Sequence, residues 1–230
     1  MRDPGADRER RYLARLARAE MFQRLRVLLQ QVGDRYRGAK LETFEATCGD
    51  QRRVLATVRA YAAEIDRACD TGRNLVLYGP PGTGKDHLGV GVLVKAIGAG
   101  KKVAAVDGLR LFQASRDAIA AGTAESDWMA PYLGADVLLL SDPVPPLEFS
   151  GPREHQLSIL WRIVDDRYRR MRPTIVTANV EGREELTRRL SPSIVDRLID
   201  GSVAAPCKWP SHREQRMRDA KANQTKETTR

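Results

Sequence analysis

The sequence lacks the long apolar run that a membrane-spanning helix requires. Such a helix needs about 18 consecutive apolar residues, and no stretch of the 230 residues approaches that length. The chain begins MRDPGADRERRY, with charges where a secretory signal peptide would need an apolar stretch. We therefore expect a protein that neither spans a membrane nor is secreted.

Cysteine is also scarce. Cys48, Cys69 and Cys207 are far apart and have no metal-ligand spacing, which excludes a zinc finger and a disulfide framework. This usage is typical of a reduced compartment, and we expect a cytoplasmic location. The hydrophobic share of 42% in 230 residues is enough for one large domain with its own core, which argues against wholesale disorder.

The excess of positive charge lies at the two ends of the chain. Residues 1–40 hold eleven basic and five acidic side chains, and residues 208–230 hold seven basic and three acidic ones. The residues between them hold 21 basic and 22 acidic side chains. Basic ends suit phosphate backbones or acidic protein faces, because lysine and arginine release condensed counterions on binding nucleic acid. They are equally compatible with solvated, solubilising tails.

Residues 8–32 are predicted to form one basic amphipathic helix, because apolar residues recur every three or four positions with arginines between them. The apolar residues are Tyr12, Leu16, Phe22, Leu25, Leu28, Leu29 and Val32, and the arginines are Arg8, Arg11, Arg15, Arg18, Arg24 and Arg26. Such a helix docks on a partner or packs on its own domain. We favour docking, since the helix precedes the core described next.

From residue 50 onwards, helical patterns alternate with short apolar runs. A first helix is predicted from Asp50 to about Ala68. The predicted strands are Asn74–Tyr78, Lys102–Val106, Val137–Leu140, Thr174–Thr177 and Ser202–Ala205. The predicted helices between them are Lys85–Ile97, Leu109–Ala121, Arg153–Arg170, Glu184–Arg189 and Ser193–Ile199. This alternation predicts crossover connections, a parallel sheet and an α/β sandwich.

The strongest chemical signal is a glycine-rich loop, Gly79-Pro80-Pro81-Gly82-Thr83-Gly84-Lys85. It follows a predicted strand and opens a predicted helix, which is the context that a phosphate-binding loop requires. The glycines permit backbone angles that turn successive N–H groups inward, and these donors bind phosphate oxygens together with the helix N-terminus. Lys85 can reach the β- and γ-phosphates. A standard loop continues with Ser or Thr, whose hydroxyl ligates Mg²⁺, whereas this loop continues with Asp86.

From Leu75 to Arg213 the chain resembles the AAA+ ATPases of the DnaC-type helicase loaders and their IstB-type transposition relatives. The matching motifs are GPPGTGKDHL (79–88) for Walker A, DVLLLSD (136–142) for Walker B, RPTIVTAN (172–179) for sensor 1, SIVDRLIDG (193–201) for the arginine-finger segment and KWPSHRE (208–214) for sensor 2. Upstream, YRGAKLETFEA (36–46) is similar to the start of the family's ATPase domain. The order and spacing of the motifs make the match specific.

The resemblance implies roles for single residues. The loop from Gly79 to Lys85, with Asp86 and His87 after it, would bind the phosphates of ATP. Asn179 would orient the attacking water, and its plainer interpretation is a turn-forming residue. Arg197 would reach the nucleotide of a neighbouring subunit, and otherwise it is a surface arginine beside Asp196. Arg213 would be the sensor-2 arginine, or else one more cation of a basic tail.

The Walker B segment departs from the family pattern of Asp-Glu, in which the Asp orders Mg²⁺ and the Glu polarises the attacking water. This chain has Ser141-Asp142, so Asp142 would be a base that is one methylene shorter. Three interpretations compete. In the first, which we favour, the site has lost ATP hydrolysis and kept ATP binding. In the second, a kink imposed by the prolines from Pro143 lets Asp142 ligate the metal. In the third, the two positions have exchanged their ligand types. Asp86 supplies the carboxylate and Ser141 the hydroxyl, so the set of Mg²⁺ ligands is kept.

The run from Asp165 to Arg170 ends a predicted helix. Its arginines are explained by the helix dipole, which favours cations at this end. The alternative is that they contact DNA or a neighbouring subunit.

The sequence thus predicts an AAA+ P-loop NTPase, an α/β three-layer sandwich with a parallel sheet of about five strands. We expect a basic helical extension at residues 1–35, an ATP-binding domain at 36–215 and a disordered basic tail at 216–230. Because fewer than 20 residues follow Arg213, we expect the usual helical lid to be reduced or absent.

By resemblance, the protein is an ATP- and Mg²⁺-binding accessory factor of DNA replication that loads or remodels a replicative helicase. ATP hydrolysis is expected to be weak or partner-stimulated. The expected partners are the helicase, single-stranded or duplex DNA and further copies of the chain, which meet at the arginine-finger interface. One alternative is an IstB-type transposition helper that acts with a transposase, and another is a non-hydrolysing adaptor between proteins and DNA.

Overall fold

A computed structural model describes residues 4–144 and 153–212 of the protein. In this part of the chain, the α-helices are α1 (Pro4–Val32), α2 (Gly49–Ala63), α3 (Ile65–Thr71), α4 (Lys85–Gly98), α5 (Gly108–Ala120), α6 (Glu125–Gly134), α7 (Arg153–Arg169), α8 (Arg183–Leu190) and α9 (Pro192–Ile199). The strands are β1 (Leu75–Tyr78), β2 (Val103–Asp107), β3 (Val137–Ser141), β4 (Thr174–Ala178) and β5 (Val203–Pro206). Two 3₁₀ turns, Asp34–Tyr36 and Leu41–Thr43, lie between α1 and α2.

The five strands form one parallel sheet in the order β2-β3-β4-β1-β5. The predicted α/β sandwich with a five-stranded parallel sheet is therefore confirmed. All strands end at the same side of the sheet, which we call the carboxyl edge, and begin at the opposite side, the amino edge. Three predicted site segments follow directly on strand ends at the carboxyl edge: the glycine-rich loop after β1, Asp142 after β3 and Asn179 after β4.

Helices cover both faces of the sheet, because successive side chains of a strand point to opposite faces. Leu75 and Leu77 of β1 pack into a core with α2, α3 and α4, whereas Val76 packs into a second core on the other face. The second core includes Leu111 of α5 and Ile163 of α7. Burial on both faces explains why the strands are continuous apolar runs.

Two local predictions differ from the structure. Helix α6 was not predicted, since Pro131 inside it breaks the helical sequence pattern. The helix predicted from Asp50 to Ala68 is two helices, α2 and α3, which meet at Glu64 in a non-helical conformation. No helix within residues 4–144 and 153–212 combines the length and the apolar character that crossing a membrane would take.

Helix α1 has two parts with different surroundings. Residues 8–20 are exposed along their whole length, including Tyr12 and Leu16. From Met21 onwards the helix packs on the domain, and Leu28 is 1% exposed in the core beside α4. We favoured docking over packing for this helix; its second part instead packs on its own domain, because its apolar residues complete the core.

The amino edge of the sheet contains a buried arginine, Arg167 of α7, which is 0% exposed. Its guanidinium donates to four main-chain carbonyls and to the hydroxyl of Thr174; the carbonyls are those of Tyr132, Ala135, Asp136 and Pro173. Burial lowers its pKa to about 9. Both interpretations of the α7 arginines, as helix-dipole cations or as contacts to DNA or a neighbouring subunit, are therefore wrong for Arg167, which is buried and joins the starts of β3 and β4.

Candidate functional site

The glycine-rich loop connects β1 to α4 and forms one wall of a cleft of about 390 Å³. Lys85 is the first residue of α4 and is 6% exposed. Its Nζ atom donates to the carbonyls of Gly79 (2.9 Å) and Pro80 (2.7 Å). Lys85, Asp86, His87 and Asn179 all line this cleft. The structure therefore brings together predicted residues that lie up to about 100 positions apart in the sequence, as convergence of parallel strands at one edge requires.

The backbone of the loop adopts angles that favour glycine. Gly79 has φ +144° and Gly82 has φ +79°. A Cβ atom at Gly79 would lie 2.3 Å from the Cys207 carbonyl oxygen, and one at Gly82 would lie 2.1 Å from Ser211 Oγ. The loop is thus pressed against the segment after β5, where Trp209 Nε1 also donates to the Thr83 carbonyl at 3.0 Å. Burial in this contact raises the pKa of the Cys207 thiol to about 12.

Asp86, the second residue of α4, receives hydrogen bonds from three hydroxyl groups. Ser141 Oγ, at the end of β3, donates to Asp86 Oδ1 at 2.8 Å. Thr177 Oγ1 of β4 donates to the same oxygen at 2.6 Å, and the Tyr36 hydroxyl donates to Asp86 Oδ2 at 3.2 Å. Ser141 and Thr177 are register partners in the sheet. The carboxylate and the hydroxyl that depart from the family pattern are therefore direct neighbours.

Asp142 is paired with Asn179. The chain turns sharply at Asp142, which has φ +43°. The Asn179 side-chain amide donates to Asp142 Oδ2 at 2.6 Å, and the Asn179 backbone N–H donates to Oδ1 at 3.3 Å. The backbone turn that the second interpretation of the Walker B segment requires is present, but both oxygens of Asp142 are engaged by Asn179.

Arg197 lies away from the cleft of its own chain, on α9. Its Nε donates to Asp165 Oδ1 at 2.8 Å, and its guanidinium lies 5.9 Å from the ring centroids of both Trp161 and Tyr168. Asn74 at the start of β1 binds the carbonyl of Arg197, which places this end of α9 at the amino edge. Within one chain, Arg197 is therefore not part of the cleft that Lys85 lines. The predicted sensor-2 residue Arg213 lies outside the described residues, as do the predicted disordered tail and the region of the lid.

The family of IstB-like ATP binding proteins matches residues 7–220 of the chain. The chain belongs to this family. Its glycine-rich loop lies between β1 and α4, with Lys85 at the start of α4, which is the strand–loop–helix context of a phosphate-binding loop.

Two relatives and two solved structures are similar to this IstB-like protein. It is 25% identical over 180 residues to the replicative helicase loader DnaC of Escherichia coli (strain K12), which covers 77% of this chain and 70% of that protein. It is 29% identical over 186 residues to the insertion sequence IS21 putative ATP-binding protein of Pseudomonas aeruginosa, which covers 78% of this chain and 66% of that protein.

The crystal structure of the DnaC helicase loader shares the fold with a TM-score of 0.66 and 24% identity, over 76% of this chain and 99% of that chain. The crystal structure of the DnaI has a TM-score of 0.62 and 17% identity, over 78% of this chain and 93% of that chain.

The residues around Asp86 fit a magnesium ion that is bound together with a nucleotide. Mg²⁺ prefers oxygen ligands and usually takes only one or two carboxylates beside phosphate oxygens and waters. Asp86 and Lys85 line the cleft and would supply a carboxylate and a cation for phosphate. Ser141, whose hydroxyl donates to Asp86, would supply a hydroxyl. Among the described residues, no cluster of three or more His, Cys, Asp or Glu could hold a metal by itself. The phosphates of a nucleotide would therefore have to complete the coordination.

Sequence reasoning missed two residues of this site, Thr177 and Tyr36. Thr177 reads as an ordinary β-branched strand residue, and the signal that could have indicated it is its place at the end of a predicted strand, two residues before Asn179. Tyr36 stands at the start of the upstream similarity, but nothing in the sequence indicates its contact with Asp86.

Proposed function

We propose that this IstB-like protein binds ATP with Mg²⁺ in the cleft at the carboxyl edge and acts as a helicase-loader-like accessory factor in DNA replication. The observation that carries the proposal is the contact between Asp86 and Ser141 beside Lys85. It supports a complete set of oxygen ligands, although the order of the two ligand types is exchanged. The 25% identity to the E. coli helicase loader supports the replication role.

The first test is nucleotide binding. Titration with labelled ATP and Mg²⁺ should show saturable binding by the wild-type protein, and Lys85→Ala should weaken it by about 100-fold, because the main cation for the β- and γ-phosphates is lost. Lys102→Ala is the matched control, since Lys102 is exposed and does not line the cleft. Absence of saturable binding by the folded wild type would remove the proposal.

The exchange of ligands supports retained, rather than lost, hydrolysis. In the usual site a loop hydroxyl and a strand carboxylate bind the metal together. Here the loop position has the carboxylate of Asp86, and the strand has the hydroxyl of Ser141, 2.8 Å away. The same two ligand types would thus meet at the same place, with their helix and strand origins reversed.

A double-mutant cycle tests the exchange. Asp86→Thr and Ser141→Asp should each weaken Mn²⁺ binding to the protein–ATP complex and lower ATP turnover, because each variant holds two hydroxyls or two carboxylates. The double variant should recover both properties, since it restores one ligand of each type. Electron paramagnetic resonance of free Mn²⁺ measures the affinity without reference to turnover. Additive effects in the cycle would contradict the exchange.

Arg197 is proposed to act on the ATP of a neighbouring subunit. Its position outside its own cleft and its fixed orientation against Asp165 support this role. Mixing Lys85→Ala with Arg197→Ala should then restore part of the turnover that each variant lacks. One chain would supply the intact cleft, and the other would supply the arginine. Failure of every mixing ratio to restore turnover would place Arg197 outside the reaction.

The exposed part of α1 is proposed to dock on the protein partner. Residues 8–20 combine exposed apolar side chains, such as Tyr12 (62%) and Leu16 (46%), with several arginines. Replacing Tyr12 and Leu16 by Ser should abolish partner capture without changing ATP binding. Leu109→Ser is the control, because Leu109 is similarly exposed at 52% on another surface.

The second candidate function is that of a transposition helper, which the family match and the 29% identity to the IS21 protein favour. Capture of cellular partners with ATP and with ADP separates the two functions. A replicative helicase supports the loader, and a transposase supports the helper. If ATP binds but no turnover occurs with DNA and partner present, the protein is an adaptor.

A further inference from the structure

The hydroxyl of Tyr36 contacts the same carboxylate that we assign to the metal. It donates to Asp86 Oδ2 at 3.2 Å, while Ser141 and Thr177 occupy Oδ1. Two of the three donors come from the sheet, and the third, Tyr36, comes from the 3₁₀ turn that follows α1. Hydrogen bonds to a metal ligand fix its orientation, so Tyr36 is placed to act as a positioning residue for Asp86.

Tyr36 is attached to α1 by a short, hydrogen-bonded turn. Gly33 follows the last residue of α1 with φ +80°, and its N–H still binds the Leu29 carbonyl at 3.0 Å. The Tyr36 N–H then binds the Gly33 carbonyl at 3.1 Å. Three residues of closed turn leave little slack, so a displacement of the end of α1 would also displace the Tyr36 ring.

The second part of α1 is itself fixed to the ATPase core. Gln31 Oε1 accepts a hydrogen bond from the Ala105 N–H of β2 at 2.9 Å, and Arg110 Nη1 donates to the Gln31 carbonyl at 3.0 Å. Leu28 is buried in the core with α4, the helix that begins at Lys85 and Asp86. Helix α1 therefore packs on α4, the helix that carries Asp86, and Tyr36 links the end of α1 to that carboxylate at the cleft.

We infer that Tyr36 couples the packing of α1 on the domain to metal–nucleotide binding at Asp86. This inference rests on the proposed function. Metal–nucleotide bound at Asp86 stabilises the Tyr36 contact and, through it, the packed part of α1. By reciprocity, a partner that grips the exposed part of α1 changes the affinity of the site for metal–nucleotide.

The test compares Tyr36→Phe, which removes only the hydroxyl, with Tyr61→Phe as a matched control. Tyr61 is buried, and its hydroxyl donates to the Arg73 carbonyl in another part of the domain. Mn²⁺ affinity in the presence of ADP should fall roughly tenfold in Tyr36→Phe, because removal of a hydrogen bond to a metal ligand usually lowers metal affinity by about this factor. The control should lower the thermal midpoint and leave the Mn²⁺ affinity unchanged.

Hydrogen–deuterium exchange provides the readout of coupling. In the wild type, Mn²⁺ with ADP should slow exchange of the amides in residues 21–36. Tyr36→Phe, measured at saturating metal and nucleotide, should lose this slowing, and Tyr61→Phe should keep it. If Tyr36→Phe retains the nucleotide-dependent slowing, the inference is overturned, whatever its Mn²⁺ affinity. If the wild type binds no nucleotide, the proposed function fails with it, so the two failures are distinguishable.

Discussion

Two buried cations lie at opposite edges of the same parallel sheet, and their surroundings differ. Arg167 at the amino edge is enclosed, and its hydrogen bonds go to carbonyls and a hydroxyl of neighbouring elements. Lys85 at the carboxyl edge is nearly as buried, but it lines an open cleft and donates to carbonyls of the glycine-rich loop. The same charge thus stabilises the fold at one edge, and at the other it is the cation that we propose for phosphate binding.

Residues with a positive φ occur at both edges of the sheet. Gly79, Gly82, Gly84 and Asp142 all have positive φ, and all four lie at the carboxyl edge. At the amino edge, the side chain of Asn74, which precedes β1, accepts a hydrogen bond from the Thr174 N–H and donates to two carbonyls of α9. Gly72 and Met171, which precede β1 and β4, also have positive φ, so the two edges differ in their hydrogen bonding and not in backbone strain.

The largest expected effect is on stability, from Arg167→Met. The variant leaves several buried carbonyls without donors, so the free energy of unfolding should fall by at least about 3 kcal/mol. Urea denaturation measures the change. The folded fraction should bind ATP with unchanged affinity, because Arg167 does not line the cleft.

The control for this variant is Arg170→Met in the same helical run. Arg170 is exposed and pairs with Asp166, so its loss should change stability by less than about 0.5 kcal/mol. Equal effects of the two variants would contradict the distinction between a structural and a surface arginine.

The second prediction compares two asparagines at opposite edges. Asn74→Ala should cost about 2 kcal/mol of unfolding free energy, because three buried backbone groups lose their partner. Asn179→Ala should cost less than about 1 kcal/mol but lower ATP turnover by about 100-fold, as for other groups that act on the transition state. Denaturation and turnover measured on both variants check the pair. A larger loss of stability in Asn179→Ala, or a larger loss of turnover in Asn74→Ala, would contradict the assigned difference between the two edges.

The third prediction concerns one substitution at two glycines. Gly79→Ala should destabilise the fold by about 2 kcal/mol, because its Cβ would meet the Cys207 carbonyl at a strained φ. Gly98→Ala, in a helix with open space around it, should be neutral or stabilising by up to about 1 kcal/mol. Thermal melts of both variants provide the measurement, and effects of equal sign would contradict the assigned strain.

The smallest effect is expected for thiol reactivity. Burial raises the pKa of Cys207 to about 12, so at pH 8 its thiol should remain protonated and unreactive in the folded protein. A disulfide reagent should label Cys207 only after denaturation, and Cys207→Ser should leave labelling of the folded protein unchanged. Rapid labelling of Cys207 in the native state would show that the contact behind the glycine-rich loop opens.

The sheet was predictable from sequence, because strands buried on both faces appear as short apolar runs. Each of the five strands begins and ends within one residue of its prediction, as at Leu75–Tyr78 and Thr174–Ala178. Helix α6 was not predictable in the same way, since it is short, carries Pro131 and buries only Met129. The glycine-rich loop was predicted from the spacing of its glycines and lysine, because the local backbone geometry of such a loop requires that spacing. The structure has it between β1 and α4.

The contacts around Asp86 depended on tertiary structure. The exchange of ligand types was one of three interpretations of the sequence, and only the structure brings Ser141 within 2.8 Å of Asp86. Thr177 and Tyr36 come from elements whose sequence does not point to the cleft. Arg167 did leave a signal: it lies four residues after the buried Ile163, on the helix face that packs inward. That periodicity was obscured by the charged run around it.

Gln31 has a consequence for the solution behaviour of shortened proteins. β2 is an outer strand, and the Gln31 side chain occupies a donor that a further strand would otherwise bind. A version that starts at Tyr36, where the upstream similarity to the ATPases begins, would leave that strand uncovered and its outer donors open to intermolecular pairing. Such a truncated protein would be prone to aggregate through this strand, although it keeps all five strands and the glycine-rich loop.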